Sequence, residues 1–442
     1  MIALAGGLRL VGIQYGLPFP LLNPDEQNIV PRAWSMVHGG GLDPHWFDYP
    51  SLVMYVLAPF QAWQDEPSYL AARVTMVVLA LGCVAAAWWL GQRAYGTVAG
   101  FVAAAATAVE TTHVAYSRMA VTDIPLTLGV TVALALMVAG RIEVAGLVVG
   151  LAASAKYPGI LLFAPLLAAA WGRWRRLAIA AALAMLGFVA TSPFVVLHLG
   201  QAAGDAWRVQ QSAHAGWLGF ENDHAAPIAF TARLWDGLGP VLIIAAAGLV
   251  LALVRRNRAD LVLAVFVVVY FADLLTLHAH FDRYVLPLVP ALGALAGRLR
   301  SLAPVTVLML VIPLTWAVRD ARELTRTDTR VVAHRWVEQN LPHGALLAAD
   351  SSTPGFAGFR VISLKLPRPG EPADPNRDVA RLRRQGVAYV VVTGAVEDRL
   401  LGAADHYPRE TRFYSDLRKT RRVYALHPRT RLAGPWIEIY RI

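Results

Sequence analysis

Apolar residues dominate the first three quarters of the chain in long blocks, and charge collects in the breaks between them. The blocks fall near 3–22, 69–91, 97–116, 124–140, 144–157, 158–172, 177–197, 238–254, 261–277, 284–297 and 302–318. A helix crosses a bilayer with roughly 20 apolar residues, somewhat fewer in a polar-lined bundle. The pattern therefore predicts a polytopic α-helical membrane protein with about eleven transmembrane helices. Pro158 divides the stretch 144–172. Residues 51–64 are apolar but short, and a span there would invert every later loop. They are expected to lie on or dip into the outer leaflet. No basic leader region or A-x-A site sets the first block apart, so it is expected to remain as a helix.

Beyond residue 318 the pattern changes. Arg330 to Leu341 has helical spacing, Ala345 to Ala349 and Tyr389 to Val392 are strand-length apolar runs, and Trp436 to Tyr440 alternates. Asp378 to Gln385 reads as a helix between strands, and Pro367 to Pro375 as a loop. The composition agrees with this division. Residues 319–442 hold 22 Lys+Arg and 14 Asp+Glu, leaving 18 and 16 for residues 1–318. The expected domains are a membrane domain, 1–318, with external loops 23–68 and 198–237, and a small soluble α/β domain, 319–442. Mean hydropathy is +0.47, and only 16% of residues are charged, well below the soluble average of about 25%. The net charge of +10 does not call for nucleic acid, because much of the excess in the membrane part lies in short loops. Cys83, the only cysteine, has no intramolecular partner.

Those basic loops set a topology. Gln92-Arg93, Arg141, Arg173 to Arg176, Arg255 to Arg258 and Arg298 to Arg300 occupy one side if the first helix runs outward. The positive-inside rule makes that side cytoplasmic. A multi-pass protein of the cell (inner) membrane is expected, with 23–68, 111–123, Lys156, 198–237, 278–283 and the C-terminal domain on the extracytoplasmic, periplasmic side.

Several candidate groups fall on that outer side. Asp25 and Glu26 follow the first block, where a helix-capping role is the plain alternative. Asp123 opens the fourth span beside Pro125, again with a cap as the alternative. Glu110 and His113 stand one turn apart at the outer end of the third span, and an acid there is costly unless it functions or is solvated. Lys156 and Arg283 supply cations that either snorkel to headgroups or hold a phosphate. His278, His280 and Asp282 are possible ligands for a divalent metal ion, although their spacing is not diagnostic. Trp207, His214, Trp217, Glu221, Asp223 and His224 in loop 198–237 shape substrate access or anchor at the interface. This combination suits displacement at a sugar carbon from a membrane-anchored phosphate. A carboxylate deprotonates an acceptor hydroxyl, and cations stabilise the departing phosphate.

The chain resembles the GT-C superfamily of membrane glycosyltransferases, in particular the bacterial branch of protein O-mannosyltransferases and the lipid A aminoarabinose transferase. The resemblance rests on Leu8-Arg9-Leu10, Asp25-Glu26, Phe47-Asp48-Tyr49-Pro50-Ser51-Leu52, Arg73, Ser117-Arg118, Asp123-Ile124-Pro125-Leu126, Lys156-Tyr157-Pro158-Gly159 and Arg283-Tyr284-Val285-Leu286-Pro287. Ser51 departs from the family, where a second proline is usual. The resemblance implies inverting transfer from a polyprenyl-phosphate sugar donor to a glycan, lipid or protein acceptor. Asp25 would be the general base, or part of a base and metal site, and Glu26 and Asp123 supporting acids. Lys156, Arg283, Tyr284, Tyr49, Arg118, His113 and Glu110 would bind substrate. Metal use and acceptor identity do not carry over. A transporter or flippase of lipid-linked sugars is the alternative. It is disfavoured because no internal repeat is visible and the acids gather on one face. A non-catalytic scaffold displaying the C-terminal domain would not need these acids and cations on one side.

Overall fold

The structure, a computed structural model, describes residues 1–442 and separates into two compact units. The first comprises Met1–Ile13, Asn23–Gln211 and Ala225–Arg322; the second comprises Gln14–Leu22, Ser212–His224 and Glu323–Ile442. Two short stretches within the membrane part thus segregate with the tail.

The first unit is all helical. Three of its helices, Tyr69–Tyr95, Trp174–Thr191 and Arg300–Glu323, are long and apolar enough to cross a membrane. The pair Ala226–Leu238 and Val241–Arg255, bent by 117°, makes a fourth if it counts as one span. The other apolar blocks form shorter helices, among them Thr97–Val109, Asp123–Val138, Ile142–Ala155 and Tyr157–Ala169. The block at 3–22 departs from expectation: its helix ends at Leu10. Gly12 and Gly16 take positive φ, and Pro18 and Pro20 follow, so the helical ladder cannot continue. Loop 23–68 is also more ordered than expected, with helices at Asp25–Val37 and Leu52–Gln61.

Glycine spacing brings the helices together. Gly146 and Gly150 lie one turn apart on Ile142–Ala155. A Cβ on either would sit 2.1 Å from the Ala180 carbonyl oxygen or 2.0 Å from that of Ala184. Only glycine permits this approach to Trp174–Thr191, the small-residue mode that membrane helices use in place of hydrophobic burial. Apolar side chains on the far face of that helix, such as Met185 and Leu186, are exposed, as a lipid-facing surface requires.

Polar contacts gather the basic loops at one end of the bundle. Asp260 accepts from Arg298 Nη2 at 2.7 Å and from Tyr95 Oη at 2.9 Å, and Arg300 Nε donates to the Tyr95 carbonyl at 3.1 Å. Glu143 holds Arg176 at 2.6 Å, and Arg176 also reaches the Gly140 carbonyl; the Arg258 guanidinium, in the same helical turn as Asp260, lies beside Gly140 and joins the two groups. Asp123–Val138 ends beside Gly140, Ile142–Ala155 starts there, and Val289–Arg298 ends at the Asp260 contact. Asp123, Lys156 and Arg283 therefore lie at the opposite helix ends.

The second unit is α/β. Its five-stranded sheet runs Arg360–Leu364, Leu346–Asp350, Tyr389–Thr393, Ile437–Arg441, Arg421–Leu426. The first three strands are parallel, and Ile437–Arg441 is antiparallel to both of its neighbours. Alternation fills both faces. Val390, Val392 and Tyr440 pack with Leu382, Leu400 and Phe413, while Val391, Ile437 and Ile439 pack with Val337 and Leu347. Asp350 is buried at a strand end, where Arg377, Tyr414 and the Thr393 amide satisfy it.

Candidate active site

Asp25 begins the Asp25–Val37 helix, yet its carboxylate does not cap it. The Asn23 side chain accepts from the Asp25 amide at 2.9 Å. The carboxylate instead takes Arg283 Nη1 at 2.6 Å and the Tyr49 hydroxyl at 3.0 Å. The capping alternative fails for Asp123 as well: Thr122 is the N-cap residue, and Asp123 Oδ1 accepts from Lys156 Nζ at 2.6 Å. Lys156 ends Ile142–Ala155 in extended conformation, which turns its side chain away from the helix.

Two tyrosines join these ion pairs. The Lys156 ammonium lies 5.1 Å from the Tyr284 ring centre and 5.8 Å from that of Tyr49. The Arg283 guanidinium lies 5.9 Å from the Tyr284 ring and 5.2 Å from Phe281. Residues 25, 49, 123, 156, 283 and 284 thus form one cluster with two acids and two cations. Each pair has capacity to spare, since Arg283 Nε and Asp123 Oδ2 are buried and lack a protein partner. Such atoms cost free energy unless a ligand engages them. Burial acts to raise the Asp25 carboxyl, but the Arg283 guanidinium, aided by Lys156 and the Tyr49 hydroxyl, holds it below its ordinary value.

Glu26 points elsewhere. It is fully buried and takes Arg73 Nε at 2.8 Å, Arg73 Nη2 at 2.7 Å and the Ala120 amide at 3.0 Å. Its oxygens are occupied, so it anchors the helix that presents Asp25. Ser51 also acquires a reason. Its amide donates to Ser192 Oγ at 2.9 Å, a bond that a proline could not make.

Glu110, His113 and Arg118 do not join the cluster; they belong to an internal network around Arg9. Arg9 donates to Ser117 Oγ at 3.1 Å and to the carbonyls of Ala108 at 2.8 Å and Thr107 at 3.1 Å, and meets His113 Nδ1 at 2.8 Å. Glu110 accepts from the His113 amide, and Arg118 donates to the Leu8 carbonyl. Sequence reasoning gave Arg9 no role, although an arginine inside an apolar block is a signal in itself. The pairing of Arg73 with Glu26 was likewise unseen.

The possible metal ligands His280 and Asp282 have other partners. His280 packs edge-on against Phe230 with ring centres 5.2 Å apart. Asp282 accepts from the Tyr116 hydroxyl and the Arg283 amide, each at 2.8 Å. No three His, Cys, Asp or Glu side chains group to hold a metal ion. Asp25 and Asp123 each face a protein cation, Arg283 and Lys156.

The chain folds like several proteins of known structure. ArnT from Cupriavidus metallidurans in the apo state aligns with a TM-score of 0.65 at 15% identity, covering 100% of this chain and 96% of that one. ArnT bound to undecaprenyl phosphate aligns with a TM-score of 0.61 at 15% identity, covering 99% and 97%. The archaeal oligosaccharyltransferase AglB from Archaeoglobus fulgidus, in complex with an inhibitory peptide and a dolichol-phosphate, aligns with a TM-score of 0.60 at 11% identity, covering 98% and 73%. Among curated proteins nothing matches. The sequence model of glycosyltransferase family 87 matches residues 46–278, just over half of the chain. This match, on a helical bundle with the GT-C fold and its cluster of acids and cations at one end, makes the chain a membrane glycosyltransferase belonging to family 87.

Proposed function

We propose that this enzyme transfers a sugar from a polyprenyl-phosphate donor to a hydroxyl of an extracytoplasmic acceptor, with inversion, and that Asp25 is the general base. The carrying observation is the Asp25–Arg283 pair joined through Tyr49 and Tyr284 to Lys156–Asp123. Solved relatives of this fold bound to undecaprenyl phosphate and dolichol-phosphate support the donor class.

The step balances without a further reactant. The Asp25 carboxylate takes the proton of the acceptor hydroxyl. The acceptor oxygen bonds to the anomeric carbon as the bond from that carbon to the phosphate oxygen breaks. The electron pair leaves with polyprenyl phosphate, and attack opposite the leaving group inverts the centre. Arg283 and Lys156 hold the phosphate and stabilise its added charge, Arg283 through its spare Nε as well as Nη1. As the phosphate draws Arg283, Asp25 loses its strongest partner and becomes more basic as the acceptor arrives. Asp123 keeps Lys156 charged and in place. Glu26 fixes the helix bearing Asp25. Glu110, His113 and Arg118 act at a distance by holding the third-span region.

The reading includes a membrane topology. In it, the shorter apolar helices also cross, as part of about eleven spans. The end holding the basic loops faces the cytoplasm, while the acid–cation cluster and the C-terminal unit face outward. Lipid, glycan and protein acceptors all satisfy this chemistry.

The direct test is to incubate the pure protein with a panel of polyprenyl-phosphate sugars, each combined with glycan, lipid and peptide hydroxyl acceptors, and measure release of polyprenyl phosphate. Asp25→Asn is expected to abolish release while monodispersity and thermal stability stay near wild type. Wild-type turnover by Asp25→Asn would remove it as the base.

A further inference from the structure

A concave surface lies wholly within the C-terminal unit. A groove of about 560 Å³ is lined by Asp398, Arg418, Arg422, His427, Trp436, Glu438 and Tyr440. That volume is in the range of small-ligand sites. Its walls come from the helices Gly394–Gly402 and Pro408–Leu417, and from the strands Arg421–Leu426 and Ile437–Arg441 with their flanking residues.

The local backbone is shaped to present these side chains. The Arg421–Leu426 strand shifts register between Arg422 and Tyr424 against its neighbour, and such bulges re-aim side chains. Arg422 thereby meets Glu438, Nη1 to Oε1 at 2.5 Å. Trp436 is partly buried, and its Nε1 donates to both Asp398 oxygens at 3.0 Å. Gly394 makes room for this arrangement: a Cβ there would stand 2.4 Å from Trp436 Nε1 and 2.7 Å from Asp398 Oδ2. The indole is therefore held in a fixed plane, and rigid aromatic planes give contact area at little entropic cost.

Charge decides what such a groove accepts. Arg418 pairs with Glu397, and Arg422 with Glu438. No arginine of the groove is left uncompensated for a phosphate, and the Asp398 carboxylate is engaged by the indole. Each arginine meets its carboxylate through one nitrogen, the Tyr440 hydroxyl donates to the other Glu438 oxygen, and the remaining guanidinium N–H donors and carboxylate lone pairs stay free to engage a ligand. A ligand that both donates and accepts through adjacent hydroxyls, and that offers an apolar C–H face to an indole, satisfies all of these at once. We propose that this groove binds a neutral saccharide, two to three sugar rings long, as the recognition site for the acceptor glycan. Its role as acceptor site rests on the proposed sugar transfer; the binding itself does not.

The test uses the full chain in lipid nanodiscs, because glycoside detergents would compete. Neutral trisaccharides of mannose, galactose and arabinose are titrated by calorimetry and by saturation-transfer NMR, with inorganic phosphate and a tripeptide as comparators. At least one trisaccharide is expected to bind saturably. Trp436→Ala and Asp398→Asn are each expected to weaken that binding about ten-fold or more, and Asp25→Asn to leave it unchanged. Arg422→Gln serves as the third variant should Trp436→Ala fail to fold. The proposal is overturned if no trisaccharide binds the wild-type chain, if only phosphate or the tripeptide binds, or if binding survives all three groove substitutions. Absence of turnover with every lipid donor would sink the transfer reading and leave this titration able to stand.

Discussion

At the scale of a residue, Asp25 matters through the company of its carboxylate. Burial acts to raise its proton affinity, and the Arg283 guanidinium, Lys156 and the Tyr49 hydroxyl together outweigh burial, so the folded value lies below the ordinary one. A carboxyl with a depressed pKa stays ionised as pH falls past its usual range near 3.9, and protonates only as pH drops through the lower folded value. The acid limb of kcat/KM in the free enzyme is therefore expected below the ordinary carboxylate range. Arg283→Gln removes the principal opposing charge and leaves burial less opposed, so the limb should move to higher pH. The same change removes a charge-assisted bond to the donor phosphate worth about 1.5–3 kcal/mol, or roughly 10- to 100-fold in donor KM. Arg283→Lys should recover part of both effects. A pH–rate profile for the three proteins checks this; an acid limb that stays put in Arg283→Gln would show that the pair does not tune the base.

At the scale of elements, the helix carrying Asp25 depends on a buried pair. Glu26 and Arg73 are both fully buried, and Arg73 also donates to the Ile13 carbonyl at 2.9 Å. This ties Asp25–Val37 to Tyr69–Tyr95. Removing one member of such a pair strands the other and costs about 3–5 kcal/mol. Glu26→Gln should accordingly lower the thermal midpoint clearly, whereas Asp25→Asn should not. Assayed well below its midpoint, Glu26→Gln should retain more turnover than Asp25→Asn, which comparison of thermal stability and initial rates will reveal. The adjacent acids thus have different duties, and their sequence positions alone did not show it: a helix turns about 100° per residue, so neighbours face different partners. Other elements were legible. The strands expected at 345–349, 389–392 and 436–440 match Leu346–Asp350, Tyr389–Thr393 and Ile437–Arg441 closely, because both faces of these strands are buried and leave short, mostly apolar runs in the sequence. Arg360–Leu364 and Arg421–Leu426 were missed. They are the edge strands, with mixed burial, and so carry no clean period. The Arg9 network escaped for another reason: its partners are mostly backbone carbonyls, which no side-chain pattern records.

At the scale of the whole molecule, the proposed topology makes a sharp claim about sidedness. Polar contacts bring the Arg141, Arg176, Arg298 and Arg300 regions to one end of the first unit, and Asp123, Lys156 and Arg283 lie at the opposite helix ends. The positive-inside rule assigns the basic end to the cytoplasm. The final long helix, Arg300–Glu323, starts at that end, so if it crosses the membrane the residues after it emerge on the outer side. Cys83 makes the experiment clean, because the only native cysteine is buried with 0% exposure and should not react with a maleimide in the folded protein. Arg429 and Arg175 are both exposed. Arg429→Cys is expected to label in intact cells with a membrane-impermeant maleimide that reaches the outer face of this membrane. Arg175→Cys should label only after permeabilisation, and the wild-type chain should remain dark in both. The reverse pattern would place the acid–cation cluster in the cytoplasm. There, soluble activated sugars would compete with a lipid-borne donor, and the case for Asp25 acting on a polyprenyl-phosphate sugar would have to be rebuilt.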